Sequence, residues 1–202
     1  MSKIILILSA FLLAACVGNP PRQDEIATYD LGRLTGAWTS PGFPIAAVEV
    51  KASTWLDTPA QLYRLTYADD LRRRIYTGSR WAAPPAELLG HALQRRIVFG
   101  QPDFNGLGCR LRLALDELEQ RFDSPQTSKT VLEIRAALLS PQGDALLTKR
   151  AFLIEKSAPT ADARGGVAAT RAATQALVDD LAAWLGSVER ERPQVAVACK
   201  EK

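Results

Sequence analysis

Cys109-Arg110-Leu111-Arg112-Leu113-Ala114-Leu115-Asp116 is the stretch that decides the architecture. Cys109, Leu111, Leu113 and Leu115 alternate with Arg110, Arg112, Ala114 and Asp116. A period of two sends the apolar set to one face of a strand and the polar set to the other. A sheet with one wet face is of the antiparallel kind, and its dry face needs a covering layer of helices. Downstream, a turn around Ser124-Pro125 leads to a strand in which Leu132, Ile134, Ala136 and Leu138 point one way and Glu133 and Arg135 the other. Ser140-Pro141-Gln142-Gly143-Asp144 is a turn by composition. Ala145 to Glu155 is the next strand, so these two strands read as a hairpin. A loop from Pro159 to Gly166 precedes a long helix from about Val167 to Val188, whose buried stripe is Thr174, Leu177, Val178, Leu181, Trp184, Leu185 and Val188.

Upstream of residue 109, Trp81-Ala82-Ala83-Pro84-Pro85 opens a helix, because proline suits a first helical turn. Leu89, Leu93 and Ile97 give it one apolar stripe, and Gly100 and Pro102 stop it. Ile45 to Val50 and Leu62 to Tyr67 read as strands before it, with a short third strand at Arg74-Ile75-Tyr76. The order β-β-(β)-α-β-β-β-α predicts an α+β fold, a two-layer sandwich of a mainly antiparallel sheet covered by two helices. The folded domain is expected over residues 44–192, with a short tail at 193–202.

The N-terminus has a different character. Lys3 precedes an apolar run from Ile4 to Leu13, and Leu13-Ala14-Ala15 leads directly into Cys16. This is the layout of a bacterial lipoprotein signal, with 1–15 removed and Cys16 carrying the lipid. A run of about ten residues is too short to cross a hydrocarbon core of roughly 30 Å. Val17 in place of an aspartate favours sorting to the outer membrane, with the body of the protein in the periplasm. Residues 16–43 then read as the lipidated cysteine and a Pro/Gly-rich tether, within which Tyr29-Asp30-Leu31-Gly32 is a candidate edge strand.

Composition, with 47% apolar and 23% charged residues, is that of one soluble globular domain. The net charge of +3 is mild, and an exported, lipidated chain calls for no nucleic-acid partner. Arg72-Arg73-Arg74 is the one dense basic run; it reads as a solvated face, with contact to lipid phosphate or an acidic surface as the alternative. Beyond Cys16 there are two cysteines, Cys109 and Cys199. In an oxidising compartment they read as a disulfide that staples the C-terminal tail; the alternative is two free thiols, with Cys109 simply buried in its strand.

Catalytic patterns are absent from the sequence. His91 is the single histidine and flanks the stripe of the first helix, a surface position more than a general base. No phosphate-binding glycine loop and no G-x-S-x-G elbow occurs, and no His/Cys/acid cluster has metal-ligand spacing. Asp116, Glu117 and Glu119 crowd one strand end, but their spacing distributes them to different sides of the backbone, the pattern of a solvated face. Trp55, Trp81 and Trp184 read as core or domain-edge residues, with lipid contact as the lesser alternative. The expectation is a non-enzyme with no cofactor and no metal.

Tyr29-Asp30-Leu31-Gly32, Tyr63-Arg64 and the Trp81-to-Leu89 element, followed by a hairpin and a long final helix, resemble in order and spacing the ABC-type transport auxiliary lipoproteins, the PqiC-like family. The resemblance spans nearly the whole chain after Cys16. The Cys109 and Cys199 pair is the departure from the family pattern. The resemblance implies a non-enzymatic outer-membrane accessory to an ABC transporter and an MCE-domain protein that move lipids between membranes. The lipoprotein would dock the MCE component and form a homo-oligomer. Outer-membrane assembly or lipopolysaccharide handling is the alternative function.

Overall fold

The computed structural model describes residues 25–35, 41–98 and 107–200. Residues 1–15, Cys16, Gly100 and Pro102 lie outside the described residues. Seven strands are found among those described: β1 (Ala27–Tyr29), β2 (Ile45–Ala52), β3 (Ala60–Leu65), β4 (Asp69–Trp81), β5 (Cys109–Ser124), β6 (Thr127–Leu139) and β7 (Leu146–Ser157). The helices are α1 (Pro85–Ile97), α2 (Ala163–Glu191) and a short α3 (Pro193–Ala198), and a 3-10 turn at Thr54–Leu56 joins β2 to β3. The strand order is β1-β4-β3-β5-β6-β7, with β2 also on β5. The fold is α+β, with α1 packed on β2 and α2 on β6 and β7.

The sheet is more mixed than alternation alone predicts. The β3–β4, β5–β6 and β6–β7 ladders are antiparallel, whereas β1 runs parallel to β4. β2 and β3 both run parallel to β5 and divide one of its edges. Ala47–Ala52 faces Arg110–Leu115, and Tyr63–Leu65 faces Gln120–Phe122. Parallel neighbours need a long crossover, which α1 supplies between β4 and β5. β4 also outgrows the short strand expected at Arg74-Ile75-Tyr76, because it is paired on both sides, by β3 and β1.

One extra residue sits in β5. Leu115 pairs with Ile134 and Glu117 with Glu133, so Asp116 is a bulge. The alternation shifts there. Leu111, Leu113 and Leu115 are buried before it, and Leu118, Gln120 and Phe122 carry on the helix-covered face after it. Glu117, Glu119 and Arg121 therefore share the other face.

The core lies between the sheet and the helices. Leu89, Leu93 and Ile97 of α1 and Leu177, Leu181 and Leu185 of α2 are fully buried, as are Leu113, Leu132 and Leu138 of the sheet. Each such side chain is worth about 1.5–3 kcal/mol relative to exposure. Trp81 and Trp184 are buried, and Trp184 meets Phe152 edge-on with ring centroids 6.0 Å apart.

α2 starts earlier than the Gly-containing stretch before Val167 suggests. Asp162 is its N-cap. Its Oδ1 accepts from Gly165 N at 2.7 Å and from Thr160 Oγ1 at 2.8 Å. A Cβ at Gly165 would collide with the Thr160 carbonyl, so glycine there permits a close approach inside the helix instead of breaking it. Replacing Asp162 by alanine is expected to cost about 1 kcal/mol in chemical denaturation. The Gly165 amide and the Thr160 hydroxyl hold the Asp162 carboxyl below its usual range. A depressed folded-state value gives stability that is present above the unfolded value and lost as pH falls through the folded one. The gap between wild type and Asp162→Ala therefore narrows on acidification; a gap independent of pH would contradict the cap.

Both ends of the domain are packed more closely than composition suggests. From β1 the chain passes Gly32 (φ 61°) and runs on as a strap. The strap is held by both α1 and α2. Arg171 Nη2 donates to the Arg33 carbonyl at 3.0 Å and Arg96 Nη2 to the Thr35 carbonyl at 3.0 Å. Thr35 N donates to Gln175 Oε1 at 3.1 Å, and Gly42 N to Glu189 Oε2 at 2.8 Å. Leu31 and Phe43 are buried, so the described part of the tether up to residue 43 is part of the domain. At the other end, residues 193–198 of the tail form α3, and Val195 and Cys199 are buried. Cys199 is bonded to Cys109 at the start of β5, with their Cα atoms 4.8 Å apart.

Candidate functional site

The sheet face away from the helices carries the densest group of charged side chains. The bulge at Asp116 aims Glu117 and Glu119 at β3 and β4, which supply Arg64 and Arg73. Arg64 Nε and Arg121 Nε each donate to Glu119 Oε1 at 2.8 Å, and Arg73 Nε donates to Glu119 Oε2 at 3.2 Å. Arg73 Nη2 reaches Glu117 Oε2 at 2.6 Å. The Glu119 side chain is completely buried. The Arg73 guanidinium in turn lies 3.8 Å from the ring centroid of Trp55. That is a cation–π contact.

The reading of Asp116, Glu117 and Glu119 as a solvated face is thus corrected. Glu117 and Glu119, two residues apart, share one face after the bulge, and Arg64, Arg73 and Arg121 cover them there in an ion network. Asp116 alone stays near the surface, where Arg135 clasps it at 2.6 and 2.7 Å. The Arg72-Arg73-Arg74 run does not act as one basic patch. Arg72 is exposed, Arg73 is held by the carboxylates and Arg74 pairs in register with Tyr63. His91 is exposed on α1, 3.9 Å from Glu87. No local signal connects Arg64 and Arg73 to β5, since 55 and 44 residues separate Arg64 from Glu119 and Arg73 from Glu117.

The two carboxylates are held differently. Burial and the Glu119 charge push the Glu117 carboxyl above its usual value, against the pull of Arg73, Arg121 and Arg64. Burial also pushes Glu119 upward, but hydrogen bonds from Arg64 and Arg121, with the Arg64 and Arg73 charges, hold it below the usual value. On acidification Glu117 takes up its proton first. For a raised carboxyl, the contribution to stability is full below the unfolded value and lost as pH rises through the folded one; for Glu119 it is present above the unfolded value and lost as pH falls through the folded one. Removing the first contribution with Glu117→Gln has a definite signature. As pH falls from neutrality into the carboxylate range, wild type gains stability relative to the variant. Parallel pH profiles would refute this.

Around the cluster the same face is apolar. Leu71 and Ile75 stand on the Arg73 side of β4, since alternate residues of a strand share a face. They are 87% and 57% exposed, and Trp55 is 43% exposed. Aromatic and arginine side chains set among apolar neighbours are the composition of recognition surfaces. Among the described residues no group of three or more His, Cys, Asp or Glu could hold a metal ion, and no helix is long and apolar enough to cross a membrane.

Fold and site together define an α+β domain whose clustered charges are tied to one another in ion pairs and whose exposed face is suited to contact. The chain belongs to the family described as the ABC-type transport auxiliary lipoprotein component, whose model matches residues 34–182. Among solved structures it is similar to protein XCC0632 from Xanthomonas campestris, a DUF330 protein, at 17% identity and a TM-score of 0.70, over 83% of this chain and 99% of that one. A second solved structure, of an uncharacterised protein, matches at 16% identity and a TM-score of 0.57, over 80% of this chain and 99% of that one. No functionally curated relative matches the sequence.

Proposed function

We propose that the protein is a non-enzymatic accessory of an ABC-driven lipid transport system, docking its periplasmic MCE-domain component. Residues 1–15 are the signal, Cys16 carries the lipid, and the residues between Cys16 and β1 tether the domain to the outer membrane on its periplasmic side. The observation that carries this reading is the family match over residues 34–182. The face around Trp55, Leu71, Arg73 and Ile75 supports it, because that surface is suited to a protein partner and is already built in the isolated domain. The same reading expects self-association through a closed symmetric interface.

The test is a gentle detergent pull-down of the tagged full-length protein from its native cells, with mass spectrometry of the eluate. An MCE-domain protein and an ABC transporter subunit are expected from wild type, and strongly reduced amounts from Leu71→Asp/Ile75→Asp. Recovery of a β-barrel protein or an assembly factor in their place would overturn the proposal.

A further inference from the structure

A second surface lies on the opposite layer of the molecule. The strap after β1 and the outer side of α1 enclose an open groove of about 460 Å³. Small-molecule sites occupy roughly 300–1,000 Å³. The groove's walls are apolar at Leu31, Leu34, Leu88 and Ala92. Its rim is cationic at Arg33, Arg95 and Arg96.

These cations differ in what they already do. Arg96 is engaged by the Thr35 carbonyl and fixes the strap. Arg33 and Arg95 are exposed, and neither side chain has a hydrogen bond or ion pair among the described residues. The one carboxylate in the groove, Asp30, is turned back on its own backbone and accepts from Gly32 N at 2.8 Å. Glu87, also on α1, faces His91. The turn at Gly32 matters here, since its positive φ lets the chain reverse and bring Arg33 to the groove that Arg95 also lines.

An apolar trough with two uncommitted guanidinium groups at its rim matches a ligand that has a hydrocarbon chain and an anionic head. We propose that this groove binds an anionic amphiphile, a phosphate- or carboxylate-headed lipid. Its chain lies along Leu34, Leu88 and Ala92, and its head meets Arg33 and Arg95. The inference does not depend on the docking reading, which concerns the other face of the sheet.

The test uses the full-length protein with phosphatidylcholine vesicles doped with a phosphatidylglycerol that carries a photoreactive group in its acyl chain. A phosphatidylcholine with the same chain serves as the neutral-head probe. After irradiation, peptide mapping is expected to place the phosphatidylglycerol adduct on the α1 segment containing Leu88 and Ala92, with far less from the neutral head. Arg33→Gln/Arg95→Gln should lower that labelling by at least about tenfold, since the loss of even one charge-assisted hydrogen bond is worth that much. Arg150→Gln on the β7 edge should not. Equal labelling by both heads, adducts only elsewhere, or no response to the double substitution would overturn the proposal. Complete loss of labelling with millimolar inorganic phosphate would assign the groove to a free anion, and would also overturn it.

Discussion

Replacing Glu119 by alanine is expected to destabilise the fold by about 3–5 kcal/mol, the cost of stripping the partner from a buried ion pair. Glu119 is the shared acceptor of Arg64, Arg73 and Arg121. The three guanidinium side chains are only 17%, 28% and 28% exposed, so water cannot fully replace what the carboxylate supplies. Without it, three like charges converge on a desolvated spot with Glu117 alone to balance them. Equilibrium unfolding in urea measures the effect. Glu49→Ala is the control. Glu49 also pairs with an arginine and a lysine, but its side chain is 48% exposed. Exposed pairs are worth only about 0–1 kcal/mol. A Glu119→Ala effect no larger than that of Glu49→Ala would show that the cluster is surface decoration.

Opening the Cys109–Cys199 bond is expected to have an effect of similar size. The two residues are 90 apart in the chain. The chain-entropy model assigns such a loop about 4–5 kcal/mol. Both cysteines are fully buried, so a reductant reaches the bond only when the structure opens. The Cys109→Ala/Cys199→Ala variant should unfold at lower denaturant, and its stability should be indifferent to reductant. Wild type should approach the variant once reduced. α3, which holds Cys199 against the domain, should be the first element to lose amide protection in the variant. Two freely alkylated thiols in the native protein, found by non-reducing peptide mapping, would sink the prediction.

What could be read ahead of the structure divides along a physical line. The β5, β6 and β7 patterns and the turn at Ser140–Asp144 are local, and local alternation and turn chemistry place them. The stripes of α1 and α2 are equally local. Neighbour choice is a different matter. That β2 and β3 share one edge of β5 in parallel follows from a crossover, and no residue in β2 or β3 announces it. The bulge at Asp116 is a single extra residue, yet every side chain after it changes face: it moves Glu117 and Glu119 off the side of Leu111, Leu113 and Leu115, and arginines of β3 and β4, distant in sequence, then bury them. The strap was obscured because Pro, Gly and polar residues look alike in a tether and in a segment held by Arg96, Arg171 and Gln175 through its backbone.

β5 is flanked by β2, β3 and β6, and it follows β2 in the chain by more than fifty residues. A chain that emerges N-terminus first, from a ribosome or through a translocation pore, exposes β2 and β3 well before the strand that completes them exists outside. At a synthesis rate of about 5–20 residues per second this interval is several seconds. During it, β2 has no mate and β3, paired with β4 on one side, has its other edge open, the condition under which chains pair wrongly with one another. β5, β6 and β7, by contrast, meet their antiparallel neighbours almost as soon as they appear. The domain is therefore expected to nucleate on its trailing half and to draw its leading half in afterwards, which makes the first eighty residues the part most in need of a holding chaperone.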